Sequence, residues 1–461
     1  MKENNSNETG KPNWKSPLMK MQGNGAPSFG LKIIIITVMI FLFLIPLGMI
    51  KDLIREREGR KLEAETDVVS SWGGESAIGG PVLVVPRRMK REVLDEAGKV
   101  LRMEEYTERV YMLPRNLDLD VRSRSEMKHR GIFEVPVFTL DLSGSGDFAL
   151  EPLYKNYNSA DLIWDQAYVQ FSYHHLKGMK KTGPLLWGGK EINFEPGDSA
   201  LSFYDAVLKV PVDIGSGETW NISRTIPFRF NQEIRGGTSL EFLPLGGETR
   251  IHLESDWVSP SFQGYYLPTQ QNISDQGFTA EWELHSLSRS VPESWSESET
   301  SVFDEMRQTA FGLNYYPALN SYNKTRRTID YGILFLIMPF MTFFLFELIR
   351  KVRIHPIQYL LAGFGNILFY LILLSLSEHI AFMPSYLAAS AAVAVMLSLY
   401  TLSIDGVGWK GLYLLPVMSS GYGYLYFVLK SEDYALVMGT AGLFAALSIT
   451  MFLTRGIKWY D

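Results

Sequence analysis

Long apolar runs sit at the two ends of this chain, with a polar stretch of roughly 280 residues between them. One run covers Ile33 to Ile50. From Tyr331 to Thr454 five more follow in close succession. A soluble core helix has little need for about 18 to 20 apolar residues in a row, whereas a hydrocarbon layer about 30 Å thick requires that many. The candidate spans are 31–50, 331–349, 357–376, 385–403, 412–429 and 435–454. The expected fold class is therefore an α+β membrane protein, with six transmembrane helices in a 1+5 arrangement and a large β-rich, sandwich-like outer domain. The expected order is a disordered tail over 1–30, an anchor over 31–50, the β-rich domain over 51–328, a five-helix bundle over 329–455 and a short tail over 456–461.

The first run reads as an uncleaved anchor. It is too long for the apolar core of a typical signal peptide, and Lys51-Asp52-Leu53-Ile54-Arg55 follows it in place of a small-residue cleavage site. Six spans put both termini on one side, and loop charge identifies that side, because cytosolic loops are enriched in Lys and Arg. The N-terminal region carries Lys2, Lys11, Lys15, Lys20 and Lys32, the loop after the second span reads Arg350-Lys351-Val352-Arg353-Ile354-His355, and the C-tail holds Arg455 and Lys458. The alternate loops are poor in basic residues: 377–384 has none, and Lys430 is followed by Glu432 and Asp433. Both termini are thus expected in the cytosol and residues 51–328 in the periplasm. Tyr331, Trp409, Tyr413 and Trp459 fall at span ends, where amphipathic rings favour the headgroup layer.

After the anchor, Arg55 to Val69 is charged and suits a helix continuing out of the membrane. Short β-like runs follow, among them Pro81 to Pro86, Phe133 to Leu140, Ala206 to Val210 and Ser239 to Phe242. Arg250-Ile251-His252-Leu253-Glu254 alternates with period two, as a half-buried strand does. Gly144-Ser145-Gly146, Gly215-Ser216-Gly217, Gly236-Gly237 and Gly246-Gly247 read as turns between strands. The spacing favours an antiparallel sandwich, or two in tandem. A helix is expected near Ser301 to Gly312.

Little in the sequence points to catalysis. Cysteine is absent, which removes disulfides, thiolate metal sites and thiol nucleophiles. A net charge of -6 gives no sign of nucleic-acid binding. Ser125-Glu126-Met127-Lys128 matches S-x-x-K and Lys181-Thr182-Gly183 matches K-T-G, the words of penicillin-recognising serine enzymes. No S-x-N lies between them, and the Ser125 region is strand-like where that chemistry needs Ser and Lys one turn apart on a helix. Of the seven histidines, His174 and His175 are neighbours, but adjacent strand residues point to opposite faces and do not easily share a metal. No catalytic residue, metal or cofactor is expected.

Ionisable groups in the spans are few. Glu347 lies near the end of the second span and suits a local pair with Arg350 or Lys351. Glu378 and His379 close the third span, where a helix-end cap or a proton relay would each use them. Together with Arg353, His355 and Gln358 in the basic elbow, these six residues are the candidate functional or structural positions at the membrane interface. Ala388, Ala389, Ala392 and Ala394 form a small-residue face of the kind that packs helices closely.

Tyr331-Gly332-Ile333-Leu334-Phe335, Thr342 to Glu347, Arg353-Ile354-His355-Pro356-Ile357-Gln358-Tyr359-Leu360-Leu361 and Leu374-Ser375-Leu376-Ser377-Glu378-His379 together resemble the CreD family of bacterial inner-membrane proteins. In the outer domain Trp72-Gly73-Gly74 before Gly80 to Pro86, Arg130 to Val137, Phe194-Glu195-Pro196-Gly197, Pro260 to Gly264 and Gly277 to Trp282 fit as well, so the likeness runs over about residues 55–455. The chain departs from the family in its longer polar N-terminal tail and around Tyr173-His174-His175, where an Asp-Arg-Gly-like pattern would be expected. The resemblance implies an inner-membrane location and a role in envelope integrity or stress, without transferable catalytic residues. Membrane lipids, an envelope protein or a cell-wall component are the implied partners. A transporter or lipid exporter built on the five-helix bundle is the alternative reading, and a membrane-tethered envelope hydrolase a third.

Overall fold

The computed structural model describes residues 29–95, 100–199, 201–215, 224–289, 291–315, 321–350, 353–404, 407–431 and 434–455. The expected N-terminal and C-terminal tails, the Gly215-Ser216-Gly217 turn, Lys351, Val352 and the acidic pair Glu432 and Asp433 fall wholly or largely outside these ranges. The chain divides into two compact units, one of Met1–Arg55 with Ser321–Asp461 and one of Glu56–Asn320.

Nine α-helices occur among the described residues: α1 Phe29–Trp72, α2 Glu151–Asn156, α3 Ser301–Gln308, α4 Ser321–Asp330, α5 Gly332–Arg350, α6 Pro356–Ser377, α7 Phe382–Leu402, α8 Leu414–Lys430 and α9 Ala435–Thr454. Five are long and apolar enough to cross a membrane, and α4 with α5, bent by 50° at their junction, makes a sixth. The first unit is this helical set. Within it α1 packs against the other helices: Phe43 is buried in the bundle, tilted against Phe340 and edge-on to Phe364. Gly363 makes room for it, since a Cβ there would collide with the Phe43 ring. Near the middle of the bundle Asn366 Nδ2 donates to the Phe335 carbonyl (2.9 Å), Tyr422 OH to Asn366 Oδ1 (2.8 Å), and Tyr386 OH to the Tyr422 carbonyl (2.7 Å). These bonds tie α5, α6, α7 and α8 together with groups that lipid could not satisfy.

The second unit carries two nine-stranded sheets around one continuous hydrophobic core. One sheet is built on Ser76–Leu94, whose first eleven residues are buried throughout, and the other on Asn116–Arg130, Phe133–Ala149 and Thr225–Gly237. Alternation in the sequence decides which side faces the core: along Glu248–Ser255, Thr249, Ile251, Leu253 and Ser255 are buried and their neighbours exposed. Most pairs are antiparallel, as the turn spacing suggests. Two are parallel: Ser76 to Ile78 with Leu240 to Phe242, and Asn116 to Ser123 with Glu248 to Ser255.

Three expectations need correction. Gly144-Ser145-Gly146 is no turn but lies inside the strand Phe133–Ala149. The Phe230 and Phe228 rings occupy the space a side chain would need there, so the glycines serve cross-strand packing. Gly236-Gly237 likewise ends a strand, and at Thr238, whose φ of 60° is left-handed, the chain passes from one sheet to the other. The expected helix at Ser301 to Gly312 stops at Gln308, and Phe311–Tyr315 is a strand paired with Ser239–Phe242.

Candidate functional site

The ends of the helical unit are held by charge. Lys32, near the start of α1, pairs with Glu347, near the end of α5, and Tyr359 OH donates to the other Glu347 oxygen at 3.2 Å. Glu347 is 7% exposed. At the opposite end Lys51 Nζ meets Asp330 Oδ1 at 2.6 Å. Lys32 and Lys51 are separated by about 28 Å of helix axis, close to the thickness of about 30 Å of the hydrocarbon layer. The two lysines therefore sit where an apolar helix meets water on either side, and each finds its carboxylate on the α4–α5 segment.

The basic elbow does structural work at the start of α6. His355 is its N-cap: its Nδ1 accepts from the Ile357 amide (3.3 Å), while Gln358 Oε1 accepts from the His355 amide (2.9 Å), completing a capping box. Pro356 occupies the first helical position, where a missing N–H costs nothing. Arg353 is exposed beside buried Ile354. At the far end of α6, Glu378 Oε1 accepts from Tyr322 OH of α4 (3.1 Å) and Ser377 Oγ lies 3.5 Å from Thr325 Oγ1, while His379 is exposed. The structure therefore gathers Glu347 with Lys32 and Tyr359, pairs His355 with Gln358, and places Glu378 and His379 at the opposite end of α6. The six residues fall at the two ends of α6, with Glu347 reaching one of them from α5, rather than in one pocket. Lys32, Tyr359 and Tyr322 are partners that the sequence reading did not single out. Their signal is faint: Lys32 and Tyr359 are amphipathic residues at the edge of apolar runs, and Tyr322 lies in the polar segment before one.

The β-rich unit contributes a cleft of about 940 Å³. It runs along the last turns of α1 and is walled by His174, His175 and Lys177 on one side and by Thr238, Ser239 and Asn314 on the other, with Glu65, Glu75 and Asp205 adding carboxylates. His174 packs on the Tyr204 ring with centroids 4.7 Å apart. Lys177 Nζ donates to the Ser70 carbonyl (2.8 Å). At the Thr238 wall the left-handed backbone is held by the Tyr315 amide, which donates to the Thr238 carbonyl (2.7 Å). Among the described residues no three of His, Asp and Glu stand close enough to hold a metal ion. Ser125, from the S-x-x-K word, gives its hydroxyl to Asp256 (2.6 Å), whereas Lys128 lies 4.2 Å from the centre of the Trp72 ring. Serine and lysine are thus engaged elsewhere.

A family model described as "Inner membrane protein CreD" matches residues 28–460. The chain belongs to the CreD family. The inner membrane protein CreD of Escherichia coli (strain K12) is 28% identical over 423 residues, which is 91% of this chain and 91% of that protein. CreD membership makes this an inner-membrane protein, in keeping with its apolar helices. It also covers both units, so the β-rich unit is as much part of the CreD match as the spans are.

Proposed function

We propose that this CreD-family chain is a non-catalytic, multi-pass inner-membrane protein that supports cell-envelope integrity, with residues 51–328 in the periplasm and both termini in the cytosol. In this reading the β-rich unit binds an envelope protein, a lipid or a wall component. The cleft beside the end of α1 is the observation that carries it: about 940 Å³ lined by imidazole, ammonium, carboxylate and amide groups, with no nucleophile held against a base among the lining residues. Such a mixture suits recognition by hydrogen bonds. Orientation rests on six spans and on the basic residues at alternate ends. The deep polar groups Asn366, Tyr386 and Tyr422 bond to one another and to backbone carbonyls, which favours a packed core over a substrate path.

Two experiments test this. A reporter inserted at Asn158 should read as periplasmic and one at Arg353 as cytosolic, and the reverse result would overturn the orientation. Cells lacking the chain should change in tolerance to detergents and wall-active antibiotics. Thr66→Trp, at an exposed helical position that lines the cleft, should fail to restore that tolerance at normal membrane levels. Full restoration by this variant would remove the cleft from the function.

A further inference from the structure

The helical unit contains a second concavity, a groove of about 760 Å³ between α5, α8 and α9. Small residues create it. Gly439, Ala445 and Ala446 on α9 leave it open, while Gly421 on α8 and Gly442 on α9 seat the Met338 and Tyr424 side chains that line it. The membrane-length window of α9 has no buried residue, and Tyr424 OH, donating to the Met438 carbonyl, ties α9 to α8 near one end. Along α9 the groove runs from Gly439 to Leu453, about 21 Å. That exceeds one leaflet, half of a layer about 30 Å thick. Its lining is almost wholly apolar, broken by hydroxyls such as Thr342, Ser420 and Thr450. An open apolar gap at this depth is filled by hydrocarbon chains, because neither water nor vacuum gives its walls the contacts they need.

One end of the groove has a different chemistry. There the start of α8 meets the ends of α5 and α9. Tyr413 lines the groove and is 61% exposed, and Trp409 just before it is 86% exposed. Lys410 precedes Tyr413 by three residues, and Arg455 follows groove-lining Leu453 by two. Both cations are exposed and form no ion pair with a carboxylate among the described residues, and Arg455 lies 4.0 Å from the centre of the Phe452 ring, at the surface beside the groove. Basic residues between helices at a leaflet surface attract anionic headgroups.

We propose that this groove binds one phospholipid with an anionic headgroup, its acyl chain between α5, α8 and α9 and its phosphate at Lys410 and Arg455. The charge at one mouth and the leaflet-scale length favour a single oriented lipid over a second copy of the chain. The proposal needs the helices to lie in a membrane. It does not depend on which side faces the cytosol or on what the β-rich unit binds.

Native mass spectrometry of the full chain, released from detergent containing equal phosphatidylglycerol and phosphatidylcholine, tests it. Wild type should retain one phosphatidylglycerol in preference to phosphatidylcholine by about thirtyfold, the size expected of two interfacial cations. Excess inorganic phosphate should not displace it, which separates a lipid from a free anion. Lys410→Glu with Arg455→Glu, both at exposed positions, should bring the two lipids near parity. Ala446→Trp should abolish retention of both, with an unchanged melting temperature showing that the helices still assemble. Equal retention of the two lipids by wild type, displacement by phosphate, unchanged retention in Ala446→Trp, or a lipid-free dimer that Ala446→Trp converts to monomer would each overturn the proposal.

Discussion

Glu347 is a buried carboxylate whose described partners are Lys32 and Tyr359. Burying a charge is costly unless its partner stays, and removing one member of such a pair costs about 3–5 kcal/mol, whereas removing both can be close to neutral. Lys32→Met should therefore lower stability in detergent by about 3 kcal/mol, and Lys32→Met with Glu347→Leu should recover most of that loss. Melting temperatures of the purified variants check it, and a double variant less stable than the single one would refute the pairing. The sequence marks Glu347 as unusual because it is acidic within an apolar run. It does not show that the partner lies 315 residues earlier. In the β-rich unit, Glu297 accepts from the Arg109 amide (2.9 Å) and from its guanidinium (2.9 and 3.2 Å). The hydrogen bond from Arg109 holds the Glu297 carboxyl below the usual carboxylate range, against the opposing effect of burial. A depressed folded pKa stabilises the fold above the ordinary glutamate value of about 4.3, and that stability is lost as the pH falls through the lower folded value. Glu297→Gln should cost about 1–2 kcal/mol at pH 7. The gap to wild type should narrow as the pH falls below about 4.3, as denaturant melts at each pH would show.

Helix α1 is held by shape as well as charge. Phe43 fills the notch at Gly363 on α6, and Leu47 lies against Gly332 at the start of α5. Gly363→Leu should push the ring out and cost about 1–3 kcal/mol by overpacking. The conservative Gly363→Ala should cost less, and equal melting temperatures for both variants and wild type would show that α1 does not dock there. The existence of this helix was legible from hydropathy alone. Its docking was not, because a glycine within an apolar run reads the same whether it faces lipid or a ring. The strands show the same division. Glu248–Ser255 is legible from its alternation, whereas Gly144-Ser145-Gly146 carries a turn-like local signal, because the Phe228 and Phe230 rings above the glycines come from a strand some eighty residues on. The parallel pairing of Asn116–Arg130 with Glu248–Ser255 was equally out of reach, since register between distant strands is set by the shared core rather than by a local word.

At the scale of the whole chain, the two units obey different physics. The helical unit exposes many large apolar side chains, among them Phe444 at 75% and Leu436 at 79%, which suits lipid as its surroundings. The β-rich unit closes one core running from Ala77 to Tyr315, with Trp282 and Trp295 fully buried and Tyr111 stacked on Trp295 at 5.5 Å. That core lies wholly within Glu56–Asn320. A segment of this size, with its own core and alternating polar outer positions, meets the requirements of an autonomous domain. Residues 56–320 expressed without the spans should therefore be soluble and unfold in one cooperative transition. The end of α1 should stay docked through Trp72, whose Nε1 donates to the Phe138 carbonyl at 3.2 Å and whose ring lies under Lys128 and Arg235. Trp72→Ala should lower the midpoint of that transition by about 2–3 kcal/mol of stability, because a ring packed against two cations and a backbone acceptor is lost together. A fragment that aggregates or melts without a cooperative transition would show that the β-rich unit depends on the membrane helices to fold. Wild-type stability in Trp72→Ala would show that the last turns of α1 lie free of the sheets. Both outcomes bear on the proposed function, since the cleft exists only while those turns form its wall.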